Sequence, residues 1–275
     1  KELRQRKTIL LAYLFVIALH QIVAVTNVFW FTTIGADADA NSFNRIGFEL
    51  AESGVFSFAI GSKFYENMLG VVYWLFGPSH FLGEQLSIMA FSLSCVFLIK
   101  ILRQLSLSQY QLPILIAFGA LPTMVLLGSV TMRESYQVLF FMTAVYFGIK
   151  MHLKGGLNRN LIFLMLSALL MGLFHKGLIA YMLFLLAFFM FFSLKTRSKV
   201  LRVKKLHFIL LVVISILVMV ASSGALLQVS GIEMITALSN MELGEYAANY
   251  REHSVLARAT YGVELDLSSP YSFVV

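Results

Sequence analysis

Seven stretches of the chain run for 14 residues or more with hardly a charged side chain, at residues 8–33, 86–102, 113–130, 134–149, 161–174, 177–194 and 206–226. Crossing the roughly 30 Å of bilayer hydrocarbon takes about 20 apolar residues, and fewer where a helix end sits in a protein-lined recess. With 59% of its 275 residues hydrophobic and 13% charged, the chain has about half the charge of a water-soluble domain. That excludes a soluble enzyme, a disordered tail, and a nucleic-acid module whose basic surface faces water. The fold class expected is all-α: a polytopic transmembrane helix bundle of about seven crossings, forming a single transmembrane domain over residues 1–275. The sole cysteine, Cys95, lies inside an apolar run, so no disulfide framework is available within the chain. The first residue is Lys1, and Tyr271 to Val275 begin a new apolar run; the expectation is a fragment lacking its carboxy-terminal helices.

Charge orients the crossings. Lys1, Arg4, Arg6 and Lys7 precede the first apolar stretch, and the positive-inside rule then puts the amino end in the cytoplasm. Alternation assigns residues 100–111, 150–160 and 195–205 to the same side, and with the amino end these hold 15 of the 21 Lys and Arg. Thirteen of the 14 acids fall on the other side, Glu2 being the exception. Residues 8–33 exceed the apolar core of a signal peptide and no small-residue cleavage site follows, so this helix is retained. The basic run 195–205 reads as a topology determinant beside anionic headgroups, and no nucleic-acid partner is expected.

Residues 55–76 are apolar but interrupted by Lys63, Glu66 and Asn67. A crossing here would put the basic run 195–205 outside, so an amphipathic helix lying on the outer interface is expected instead, ended by Gly77-Pro78.

Two groups of polar residues on the outer side carry the chemistry. The first outer loop contains Asp37, Asp39, Asn41, Arg45 and Glu49. If that loop is extended, Asp37 and Asp39 could both ligate a divalent cation such as Mg or Mn, or one could act as a base; the bland alternative is a solvated loop. The second group sits at the tips of two tight helical hairpins, Arg133-Glu134 and His175-Lys176. Short helices joined so tightly leave their tips recessed, where charge is costly and faces a cavity or a partner. Snorkelling to headgroups accounts for one such cation but not for three. Arg133 and Lys176 would hold phosphate oxygens, a carboxylate would take a proton from an attacking hydroxyl, and Arg251 would add a phosphate contact from the last outer region, residues 230–270. A lipid-linked sugar phosphate suits that pairing.

The order of an amino-terminal helix, an acidic first outer loop (Ala-Asp37-Ala-Asp39-Ala), an interfacial helix at 65–76, a Gly-Pro break, and Ala120-Leu-Pro122 ahead of Arg133-Glu134 resembles the GT-C superfamily of integral-membrane glycosyltransferases, which includes protein O-mannosyltransferases and lipid A aminoarabinose transferases. The resemblance covers about residues 8–194 and rests on layout. It implies a catalytic carboxylate at Asp37 or Asp39 and a polyprenyl-phosphate-linked sugar donor, for which the charged residues already read from the sequence, Arg45, Arg133, Glu134, His175, Lys176 and Arg251, are the expected substrate contacts. The acceptor would be a glycan, lipid or protein, and the active site would face outward from a bacterial plasma membrane. The Arg-Glu tip and the later loop with Arg251 also look like O-antigen and exopolysaccharide polymerases. A transporter or flippase is the competing class, in which the same charges would line a path.

Overall fold

In the computed structural model, the described residues are 2–31, 37–57, 59–154, 159–175 and 177–195, and every regular element among them is helical. They belong to one unit, Lys1–Lys204. The helices are α1 (Glu2–Phe29), α2 (Asp37–Ser53), α3 (Ser62–Phe76), α4 (His80–Gln104), α5 (Gln111–Ala120), α6 (Pro122–Ser129), α7 (Glu134–Lys154), α8 (Arg159–Phe174) and α9 (Leu178–Lys195), with a 3-10 turn at Ser108–Tyr110. Six of the seven expected apolar stretches are thus helical; the seventh, 206–226, lies outside the described residues.

Two helices are long and apolar enough to cross a membrane, over Gln5–Phe29 and His80–Gln104, and the bent pair α5 and α6 makes a third if counted as one span. The bend of 65° corrects the expectation of one continuous helix over 113–130. Pro122 supplies no N–H to continue the ladder and drives its predecessor out of helical geometry. Leu121 accordingly sits at φ −57°, ψ 127°, and Pro122 becomes the first residue of a new helix, where its missing donor costs nothing.

Residues 37–49, expected as a loop, form most of α2. The reason is a short apolar stripe: Ala40, Phe43, Asn44 and Gly47 are buried while Asn41, Arg45 and Glu49 are exposed, the helical spacing that puts one face on a neighbour. That neighbour is α3, whose Tyr65, Leu69 and Tyr73, four residues apart, are almost completely buried. Outside hydrocarbon, burying each such side chain stabilises by about 1.5–3 kcal/mol. Between helices in lipid that drive is absent, and close approach of small residues takes over: Ala24, Ala90, Ala144 and Ala168 have no exposed surface. The end of α3 is set by Gly77, whose φ of 89° lies in the region only glycine enters without strain; its amide donates to the Tyr73 carbonyl at 2.8 Å. Ser79 then caps α4, accepting from the Leu82 amide at 3.3 Å.

The carboxy-terminal end of α3 keeps Val71, Trp74, Leu75 and Phe76 exposed, and Phe29, Trp30 and Phe31 are exposed after α1. Phe29 meets Phe81 of α4 at 5.8 Å between ring centroids, so both tryptophans of the chain stand at one end of the bundle. Exposed Trp at a common level is the signature of a membrane–water interface.

Candidate functional site

The end of the bundle that carries both tryptophans also brings together the amino end of α7, the carboxy end of α8 and the α2–α3 pair. The segment leading into α7 is tied down from two sides. Asn44 of α2 donates through Nδ2 to Thr131 Oγ1 at 3.1 Å, and its Oδ1 accepts from the Tyr73 hydroxyl at 2.5 Å. The Met132 amide donates to Ser87 Oγ of α4 at 3.3 Å, and Ser135 Oγ donates to the Leu127 carbonyl at 2.8 Å. Gly83 makes this junction possible: a Cβ there would collide with the Tyr73 hydroxyl, Thr131 Oγ1 and Asn44 Oδ1. Arg133 follows directly, held by backbone its neighbours have already fixed.

Arg133 Nε donates to Glu134 Oε1 at 3.3 Å, with the two side chains 23% and 29% exposed. Its guanidinium lies 5.9 Å from the centre of the Phe43 ring. A pair of this exposure contributes at most about 1 kcal/mol. The second Glu134 oxygen, the Tyr136 hydroxyl and Gln137 Nε2 are buried without a hydrogen-bond partner among the described residues. Unsatisfied buried polar atoms are rare and call for an explanation; the hydroxyl of Tyr65, whose ring lies 5.6 Å from that of Tyr136, is another.

His175 completes the group. Burial, then the positive charge of Arg133, lowers its pKa, against the opposing charge of Glu134. Its Nδ1 accepts from the Gly177 amide at 3.1 Å, so the ring is neutral with its proton on Nε2. In that tautomer His175 offers Nε2 as a donor near Arg133 and Glu134. From α3, Glu66 faces the same region. Burial raises its pKa, and Lys63 and Arg133 act against that rise. The Gly61 amide donates to the Leu173 carbonyl at 2.8 Å, which fixes the start of α3 against the end of α8. Beneath lies an aromatic floor in which Tyr136 stacks on Phe174 at 5.1 Å and Phe43 meets Tyr65 edge-on at 5.0 Å.

Of the residues singled out from sequence, the structure brings Arg133, Glu134 and His175 together. Asp37 and Asp39 both lie in the first turn of α2. Their backbone is helical where an extended loop was expected. Asp39 is exposed and lies one turn before Phe43, the ring that meets Arg133. Arg45 is exposed and bonds Glu49 on its own helix at 2.9 Å; this is a local surface pair. Lys176 and Arg251 lie outside the described residues.

Sequence reasoning missed the Asn44–Tyr73–Thr131 tie, Glu66 as a neighbour of Arg133, and the role of Glu84. Glu84 is buried in α4, accepts from Asn27 Nδ2 at 2.5 Å, and keeps its other oxygen buried without a hydrogen-bond partner among the described residues. Its signal was available: Glu84-Gln85 directly precedes an apolar stretch that contains no acid.

Comparison with known proteins finds no family model that matches the chain, and no curated protein or solved structure with significant likeness to it.

Proposed function

We propose that the chain is an integral-membrane glycosyltransferase of the GT-C kind, moving a sugar from a polyprenyl-phosphate-linked donor to an acceptor at the outer face of a bacterial plasma membrane. The observation that carries this reading is the grouping of Arg133, Glu134 and neutral His175 with orphaned polar atoms on the first turn of α7. Arg133 would grip phosphate oxygens and stabilise the charge developing on the leaving phosphate. His175 Nε2 would donate to the same group. Asp37 or Asp39, on the helix that carries Phe43, would take the proton from the acceptor hydroxyl. A polymerase would use the same donor and differ in its acceptor, a growing glycan.

The test is transfer itself: protein in liposomes, supplied with a radiolabelled polyprenyl-phosphate sugar and a cell-envelope acceptor fraction, is expected to yield labelled acceptor. Label remaining wholly on the lipid, whatever the acceptor, would end the proposal. A transporter is the second reading, favoured by the 65° break at Pro122 and by polar pairs between α1 and α4, Asn27 with Glu84 and Gln21 with Gln85. Broken helices and buried carboxylates line transport paths. In that case the liposomes would move the labelled lipid or its headgroup across the bilayer and transfer nothing.

With this reading go seven crossings, a cytoplasmic amino end and an outer region at residues 230–270, supported by the segregation of Lys and Arg and by the paired tryptophans. With Cys95 replaced, a cysteine at Ser230 is expected to react with an impermeant maleimide from outside and one at Ser198 to be protected; the reverse pattern would invert the topology and remove the site from the outer face.

A further inference from the structure

Glu84 is only 2% exposed. Its Oε1 accepts from Asn27 Nδ2 of α1 at 2.5 Å, while Oε2 is buried with no hydrogen-bond partner among the described residues. The neighbours able to answer a negative charge are engaged elsewhere. Ser79 takes the first-turn amides of α4, that of Leu82 on its hydroxyl and that of Gly83 on its carbonyl, each at 3.3 Å. Gln85 exchanges two hydrogen bonds with Gln21 of α1, at 2.7 and 2.9 Å. Tyr73 of α3 stands close enough to feel a charge on Glu84, but its hydroxyl donates to Asn44 Oδ1. His80 of α4 is exposed against the Phe48 ring, Arg45 of α2 is paired with Glu49, and Arg133 of α7 with Glu134. No cation forms an ion pair with Glu84 among the described residues.

Helix α4 has the length and composition of a membrane crossing, where an ionised side chain is costly unless paired. A buried carboxylate with one hydrogen bond and no counter-charge has neither the water nor the partner that would hold its charge. A proton on Oε2 removes the charge and keeps the Asn27 bond, because the other oxygen of a neutral acid still accepts. We propose that Glu84 is a proton-binding site: a carboxylic acid that keeps its proton at neutral pH while α1 and α4 are in contact and releases it when they part. The proton is then what lets Asn27 and Gln21 of α1 close onto Glu84 and Gln85 of α4. The same turn of α4 carries Gly83, on which the Asn44–Tyr73–Thr131 tie converges, so the proton also sits beside the contact that fixes the start of α7. Glu84 has no part in the transfer reading, and the site stands without it.

The experiment is infrared spectroscopy of the full chain in lipid bilayers at neutral pH, which separates the C=O stretch of a carboxylic acid from the bands of a carboxylate. An acid band is expected in the parent and is expected to disappear in Glu84→Gln, whose amide keeps the shape and the acceptor for Asn27 but holds no titrating proton. Glu49→Gln, at an exposed carboxylate of α2, should leave the band in place. The second readout is equilibrium unfolding in mixed dodecyl sulfate micelles. A folded state that holds a proton the unfolded chain gives up loses stability as pH rises, so from about pH 5 to about pH 6 the parent's unfolding constant should rise about tenfold more than that of Glu84→Gln. A third needs no variant: dicyclohexylcarbodiimide takes the proton of a neutral acid onto one nitrogen while the carboxyl oxygen bonds to its central carbon, and it leaves carboxylates alone. Peptide mapping of the parent is expected to find that adduct on Glu84, with a yield that falls as pH rises. An acid band missing from the parent or undiminished in Glu84→Gln overturns the proposal, since Glu84 is then an ionised group with a counter-charge. Equal pH dependence of unfolding in the two proteins overturns it as well, as does a Glu84 adduct whose yield ignores pH.

Discussion

Sugar transfer by Asp37→Asn or Asp39→Asn is expected to fall by about 100-fold to 10,000-fold, the usual loss when a general base is removed. Asn keeps the shape of the side chain and its place in the first turn of α2 and abolishes only the proton acceptor. Asp37 is the stronger candidate from its closeness to α1, which anchors its depth; Asp39 lies a single turn from the Phe43 ring that meets Arg133. The two carboxylates therefore test different geometries, and the steady-state transfer rate of each single variant separates them. Near-parental rates in both would reduce the start of α2 to a solvated helix end.

Arg133→Lys should lower transfer by about 100-fold or more, the scale seen when one charge-stabilising donor is removed from a reaction centre. Lysine preserves the charge but not the planar fork that grips two oxygens. If Arg133 serves only as the ion-pair partner of Glu134, lysine restores the pair, and transfer stays near parental. A second measurement needs no substrate. Arg133 is one of the two causes that lower the His175 pKa, and Glu134 opposes them. Arg133→Gln therefore should move that pKa upward, toward the ordinary 6.5, in an NMR titration of labelled histidine. An unmoved His175 would separate the guanidinium from the ring and dissolve the site.

The parts of the fold that sequence made legible are those governed by one-dimensional rules. Apolar runs of membrane length became helices because hydrocarbon leaves the backbone no other partner, and the tight Arg133-Glu134 and His175 tips met because the hairpins that carry them pack side by side, α7 on α8. Helix α2 escaped notice because its composition is that of a loop. Its apolar stripe is only Ala40, Phe43 and Gly47, and the fourth buried position is Asn44, which no hydrophobic pattern would select. The bend at Pro122 was foreseeable from the proline rule, yet an apolar stretch reads as continuous when hydropathy is the only guide. The Asn44–Tyr73–Thr131 tie joins residues 29 and 87 apart in sequence. Side chains that hold backbone across such distances leave no local signal, and their importance appears only once α2, α3 and the start of α7 are in place.

The broken span also sets a length. The two arms of the bent span run over Ser108–Ala120 and Pro122–Ser129; at about 2.0 Å per residue in the 3-10 turn and 1.5 Å elsewhere, joined at 65°, they reach roughly 28 Å from end to end. That is within about 2 Å of ordinary hydrocarbon thickness, so as a crossing the bent pair would have to stand nearly upright, with no length left over for tilt. Arg133 follows α6 by only a few residues, so in such a crossing it would stand at one boundary of the hydrocarbon. A long-chain lipid diffusing in the plane of the membrane would present its phosphate at the depth of Arg133 with its tail still among other tails, and no step would have to lift it into water.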